Sequence, residues 1–333
     1  MEKNKVKRPH IGLLVATLVM GALGIGLSLP HLASAADKYP TKPISIIVPY
    51  AAGGMTDLAA RIWAQHLPKY LKQPVVVENV PGAGAVAGAM QVKNARPDGY
   101  VIGQFGGAFI LAKYMLPVAP DMKDFEVVAQ QLRDYRIFAA SEKSGFKNLK
   151  DVAAFGKKSP GDMLVGVNPG AGSQLDTVTM IKALNIDVNY VPYKSGADRN
   201  VALAGGHVQV SADSMSALKS YVDAKKVTLL GIAAPNRIEA FKDIPTFNEQ
   251  GFEAGDVSTW EGIFVPKGTP PDVIKTLESA IQQAARDEAV IEQFKKFFQK
   301  PMYLPGTEFR KVLADEDVRV KALVQELKLA PQK

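Results

Sequence analysis

Cysteine is absent from all 333 residues, so no disulfide framework, no thiolate metal site and no thioether-linked lipid can be written for this chain. Histidine is nearly as scarce. Of four, His10 and His31 fall in the first 35 residues, which leaves only His66 and His207, too far apart in sequence for metal-ligand spacing. No serine sits in a nucleophile-elbow pattern, and together these gaps leave little from which to build a hydrolase, a redox enzyme or a metalloenzyme. Past Ala36 no apolar run is long enough to span a bilayer, and neither a solenoid-period repeat nor a low-complexity tract occurs. We therefore expect no metal and no cofactor.

The first residues hold the clearest positive signal. Lys3, Lys5, Lys7 and Arg8 precede an apolar stretch over residues 11–29, and Ala33-Ser34-Ala35 follows. A basic start, an apolar centre and a small-residue site, in that order, make a secretory signal. Gly21, Gly24, Gly26 and Pro30 interrupt the stretch and argue against a permanent anchor. Residues 1–35 are thus expected to be removed as a signal peptide, placing a soluble monomer in the periplasm. The remainder keeps 36 Lys+Arg against 32 Asp+Glu. An excess of four over some 300 residues does not suggest nucleic acid, which needs basic clusters on one face, but it suits mild attraction of an anionic ligand.

Short β-branched runs at 44–48, 75–78 and 100–104 alternate with segments of helical period such as 61–71. A second set follows at 163–167, 177–184, 188–191, 201–203 and 208–212. This rhythm predicts two α/β lobes with largely parallel strands. The strand-like stretches 124–131 and 258–265 are the candidate crossings between them. Helices expected at 271–285, 287–298 and 307–327 would then pack back on the first lobe. The boundaries that follow are 36–136 with 258–333 for one lobe and 137–257 for the other.

Chemistry concentrates in glycine-rich turns placed between strand and helix. They are Pro49-Tyr50-Ala51-Ala52-Gly53-Gly54-Met55-Thr56-Asp57, Asn79-Val80-Pro81-Gly82-Ala83-Gly84, Gly103-Gln104-Phe105-Gly106-Gly107 and Asn168-Pro169-Gly170-Ala171-Gly172-Ser173. Glycine lets backbone N–H groups approach a ligand, and a helix start offers unpaired donors with partial positive charge, so such turns suit anions. Gly82 to Ala87 also fits a dinucleotide-binding pattern, but Val80 and Pro81 separate it from the strand. The acidic residue expected about 20 positions on is missing, which argues against a nicotinamide cofactor. Ser173 reads as a helix cap. Asp57 reads either as a cleft acid or as a favourable charge on a first helical turn, and Asp213 ends a strand and could face a cleft.

Read in order, these motifs resemble a family. Tyr39-Pro40-Thr41-Lys42-Pro43-Ile44 through Gly53-Gly54, Asp57 and Ala60-Arg61 are similar to the mature start of the extracytoplasmic receptors of tripartite tricarboxylate transporters, also called Bug proteins. Val76-Val77-Glu78-Asn79, Pro97-Asp98-Gly99-Tyr100, Val191-Pro192-Tyr193-Lys194, Asp243-Ile244-Pro245-Thr246, Trp260 with Gly262 and Gly268-Thr269-Pro270-Pro271 continue the likeness to the C-terminal region. The resemblance implies a type II periplasmic-binding-protein fold, two α/β lobes joined by two hinge crossings and closing on ligand. It implies capture of a small carboxylate and delivery to one large and one small integral membrane subunit. By the same resemblance the ligand site comprises Tyr50, Ala52, Gly53, Gly54, Thr56, Asp57, Gly170, Gly172, Ser173, Asp213 and Trp260; the third glycine-rich turn adds Gly106 and Gly107, and Tyr193 is a further candidate. A ligand sensor reporting to a kinase, or an enzyme using Asp57 and Asp213 as acid and base, are the alternatives.

Two departures bear on the ligand. Asp176 stands where many members have histidine, and Asp198-Arg199-Asn200 replaces a commoner Ala-Pro-Ala-type stretch. Asp198 reads as a helix cap, and Arg199 either as an outward residue or as a second clamp for a ligand with two acidic ends.

Overall fold

The computed structural model describes residues 39–169 and 172–329, so the signal segment and Gly170 lie outside the described residues. The chain begins β1 Ile44–Val48, α1 Met55–His66, α2 Pro68–Leu71, β2 Val75–Asn79, α3 Val86–Lys93, β3 Val101–Gly106, α4 Ala108–Met115 and β4 Phe125–Tyr135. It continues through β5 Ile137–Ser141, α5 Leu149–Lys158, β6 Leu164–Val167, α6 Gly172–Leu184, β7 Asn189–Pro192, α7 Gly196–Gly205, β8 Val210–Asp213, α8 Met215–Asp223 and β9 Val227–Ile232. It closes with β10 Ser258–Pro266, α9 Pro271–Ala285, α10 Glu288–Lys295, β11 Pro301–Pro305 and α11 Gly306–Glu326.

The local reasons are legible. β1, Ile-Ser-Ile-Ile-Val, buries all four aliphatic side chains, the near-continuous apolar run of a strand covered on both faces. Pro271 opens α9, where its missing N–H costs nothing, and Val273, Leu277, Ala280, Ile281 and Ala284 form one buried stripe at helical spacing. In α1 the buried Ala59, Ala60, Ile62 and Trp63 do the same, with Trp63 tilted against Phe294 at 5.4 Å.

Two sheets result, ordered β11-β4-β10-β3-β1-β2 and β7-β6-β8-β5-β9. The expectation of largely parallel strands is corrected. β1 pairs β2 and β3, and β6 pairs β7 and β8, in parallel, but β10 runs antiparallel to β3 and β4, β11 to β4, and β5 to β8 and β9. β5 escaped the βαβ rhythm because a single residue, Arg136, separates it from β4, leaving no room for a crossover helix. β11 is an edge strand with proline at both ends, a composition that argues for a turn. Residues 201–203 lie in α7, a helix entered at Ser195.

The chain passes from one sheet to the other at Arg136 and returns at Val257. The Arg136 N–H donates to the Val257 carbonyl at 3.1 Å, Val257 N–H to Ala233 at 3.0 Å, and Ala233 N–H to Arg136 at 3.2 Å. The predicted crossings at 124–131 and 258–265 are thus long strands of the first sheet that end at the crossings. α11 touches both sides. Phe309 packs on Trp260 at 5.2 Å, while Val320 and Leu323 share an apolar cluster with Leu175 and Val178 of α6.

Candidate functional site

A cavity of about 330 Å³ lies between the two sheets. Helix starts ring it: Met55 and Thr56 of α1 after β1, Gly107 and Ala108 of α4 after β3, Gly172 and Ser173 of α6 after β6, and Asp213-Ser214 leading into α8 after β8. Neither α1 nor α4 has a side-chain cap, so no capping side chain occupies their first N–H donors at the cavity end. Ser214 caps α8 through the Ala217 N–H at 3.4 Å.

Strand register supplies the charged wall. β10 opposes β4 with Glu261 facing Leu132 and Thr259 facing Asp134. Alternation brings Leu132, Asp134, Thr259 and Glu261 to the cavity side, where all four line it. The same alternation turns Trp260 away, contrary to the expected cleft position. Trp260 is 2% exposed and sits among Phe264 and Phe309 in the core.

Glu261 is 5% exposed and accepts from the Thr56 hydroxyl at 2.6 Å and from the Gln104 amide. Burial, reinforced by the Asp134 charge and only partly offset by those donors, pushes its carboxyl up to about 7. Asp134 is 7% exposed; its nearest cation, the Arg136 guanidinium, is 4.0 Å away. Burial and the nearby Asp213 and Asp176 push it up to about 6 despite that guanidinium.

The cavity's own cations are engaged. Arg136 donates to Asp176 at 3.0 Å and lies 3.8 Å from Asp213, and burial, which would weaken its charge, is outweighed by those acids and Asp134. Arg319 pairs with Glu316 at 2.7 and 3.0 Å. Behind the wall Arg199, 1% exposed, binds Asp213, Asn168 and Ser173. It is neither an outward residue nor a lining clamp; Gly166 makes room for it, since a Cβ there would meet Arg199 Cγ at 2.9 Å. Ser195, not Asp198, caps α7: its hydroxyl accepts from the Asp198 N–H at 3.1 Å and donates to the Asp198 carboxylate at 2.8 Å.

Tyr50, Thr56, Gly106, Gly107, Gly172, Ser173 and Asp213 all line the cavity as expected positions. Others do not. Ala52, Gly53 and Gly54 are exposed outside the lining, and Tyr193 packs in a second-sheet apolar cluster. Asp57 is 1% exposed and takes the Gly53 N–H at 2.8 Å, Asn79 at 2.9 Å and Arg61 at 3.0 Å. It shapes the turn instead of facing ligand, which removes half of the acid–base pair of the enzymatic alternative. Burial alone would raise its carboxyl, but these donors hold it below the ordinary range. The turn at Gly82-Ala83-Gly84 borders a separate small cavity of about 140 Å³. Sequence reasoning missed Asp134, Arg136, Glu261, Glu316 and Arg319; for Asp134 and Glu261 the signal was present, as two acids alternating with apolar residues in strands otherwise built for a core.

Two mixed α/β sheets, two crossings between them and a cavity ringed by helix starts define a periplasmic solute-binding protein. Residues 59–329 match the family described as tripartite tricarboxylate transporter family receptor, and the chain belongs to that family. Among relatives, Protein BugT of Bordetella pertussis is 30% identical over 318 residues, 93% of this chain and 97% of that protein. A TctC solute binding protein from Polaromonas, solved without ligand, is 26% identical with a TM-score of 0.77, over 86% of this chain and 99% of that one. MatC from Rhodopseudomonas palustris with bound malate is 25% identical with a TM-score of 0.69, over 86% of this chain and 100% of that one. Proteins of this family bind solutes; they are not enzymes. Among the described residues no helix is long and apolar enough to cross a membrane.

Proposed function

We propose that the protein captures a small carboxylate in the cavity between residues 36–136 with 258–333 on one side and 137–257 on the other. The two sides close over the ligand and deliver it to a transporter with one large and one small integral membrane subunit. The observation that carries this reading is the pair of uncapped helix starts, α1 and α4, that meet at one cavity wall. Backbone donors at helix ends hold a carboxylate without adding a cation, and closing the cavity strengthens them by excluding water. The malate in the MatC structure supports a carboxylate for this chain as well.

A ligand specific for the folded protein, present at about 100 times its dissociation constant, adds roughly 2.7 kcal/mol of stability. For a chain of this size that raises the melting temperature by roughly 4 °C. A panel of mono-, di- and tricarboxylates and amino acids, applied after endogenous ligand is stripped by unfolding and refolding, should contain at least one compound with this shift. No shift from any carboxylate sinks the proposal.

A further inference from the structure

We infer that the carboxylate taken by this cavity also carries a cationic nitrogen, which docks against Glu261 and Asp134. This rests on the carboxylate reading above and narrows its substrate class. The cavity is lined by five acids, Asp134, Asp176, Asp213, Glu261 and Glu316, against two arginines, Arg136 and Arg319. Asp176 and Asp213 are matched by Arg136 and the buried Arg199, and Glu316 by Arg319. Once these pairs are formed, two carboxyls remain: Glu261, held only by neutral donors, and Asp134, at the 4.0 Å limit of a contact with an arginine already bonded to Asp176. Among the described residues neither has a cation of its own.

A buried carboxylate without a counter-charge is costly, and the protein meets that cost either by holding a proton there or by receiving a cation. An ammonium or amidinium on the ligand fits the second route. It would face Glu261 and Asp134, which lie diagonally across β10 and β4 on the same face, while the ligand's carboxylate faces the uncapped starts of α1 and α4. The converse also follows. A di- or tricarboxylate would bring a second anionic end into a wall whose cations are already paired and whose spare groups are acids. Both raised carboxyls accord with this: a positive guest is what would return them to their ionised form.

The test is isothermal titration of the stripped protein with length-matched pairs: 4-aminobutyrate against succinate, 5-aminopentanoate against glutarate, and 6-aminohexanoate against adipate. Each is repeated with Glu261→Gln and with Asp134→Asn, after circular dichroism confirms that the variants fold. The expected result is tighter binding of the amino partner by tenfold or more in at least one pair, with that preference lost in Glu261→Gln or Asp134→Asn. A dicarboxylate that binds at least as well as its amino partner, unaffected or improved by Glu261→Gln, overturns this inference and leaves the carboxylate reading standing. Binding of plain diamines with no carboxylate-bearing ligand bound sinks the carboxylate reading and, with it, the amino-carboxylate class. If an amino carboxylate binds but both variants retain the full preference, Glu261 and Asp134 are not its partners and the inference fails at those residues.

Discussion

Glu261 turns the electrostatics of the cavity into a measurable property of the empty protein. Its folded carboxyl titrates near 7 against an ordinary 4.5, because burial dominates and Asp134 adds to it, while Thr56 and Gln104 offer only neutral donors. Tyr50, whose own hydroxyl burial pushes up, faces it as well. A raised acid means that between pH of about 4.5 and 7 the folded state binds more protons than the unfolded one. Stability then falls as pH rises through that window. The shift corresponds to roughly 3 kcal/mol. Asp134, pushed up to about 6, adds a slope of the same sign at slightly lower pH. Urea unfolding of the ligand-free protein at pH 5 and pH 8 should show this loss, and Glu261→Gln should remove most of it. Equal slopes in the two proteins would mean that Glu261 is not the group responsible. At this scale the sequence was only partly legible. Thr56, Gly106, Gly107, Ser173 and Asp213 were read from motif spacing, whereas Asp57 and Trp260 were assigned to the cleft from the same motifs and belong to the turn and the core. Which way a side chain points depends on register and local hydrogen bonds, and motif order carries neither.

Among elements, the start of α1 shows how a turn keeps a helix start uncapped. Gly53 adopts a positive φ of 87°, where a side chain would be strained, and its N–H is tied to Asp57 one helical turn on. Asp57 thereby satisfies the turn from behind and leaves the α1 start uncapped on the cavity side. Replacing it with alanine removes the charged acceptor of the Gly53 N–H and one of the two acceptors of the Asn79 amide, which keeps the Tyr50 carbonyl, a loss of about 1–3 kcal/mol for hydrogen bonds to an ionised group. Arg61 is half exposed and simply returns to water. Asp57→Ala should lower the unfolding free energy measured in urea by that amount and weaken ligand binding even at temperatures where the variant is fully folded. Unchanged affinity would show that the turn does not hold α1's donors in place. The glycine-rich turns were legible as helix starts because glycine and strand-to-helix order are local signals. Among the described turns, those after β1 and β3 meet at the cavity while the one at residues 82–84 does not, and that sorting depends on which strands pair, a long-range property. β5, β9 and β11 were invisible for the same reason. Their pairing is antiparallel or at an edge, outside the βαβ rhythm that revealed the others.

For the molecule as a whole, α11 decides how firmly the two sides of the cavity are joined, since it is attached to both. Besides Arg319, which reaches Thr179 at 3.4 Å and Asp176 at 3.8 Å, its links to α6 include an exposed ion pair and a buried apolar contact. Lys182 and Glu326 form an ion pair at 2.6 Å with both side chains about half exposed, whereas Leu175 and Val178 bury against Val320 and Leu323. Exposed pairs contribute at most about 1 kcal/mol and are screened by salt. Truncating a buried leucine costs about 2–5 kcal/mol, because transfer free energy and a residual cavity add. Leu175 is 2% exposed and also lines the cavity between the sheets, so its apolar contact carries the joint and shapes the wall at once. Leu175→Ala should therefore lose about 3 kcal/mol in urea unfolding at both low and high salt and weaken ligand binding with it. Lys182→Ala should lose less than about 1 kcal/mol at low salt and nothing measurable in 0.5 M salt. If the lysine variant proves the more damaging of the two, the joint is electrostatic, and any movement of the two sides would have to be governed by surface charge instead of by the packing of α6 on α11.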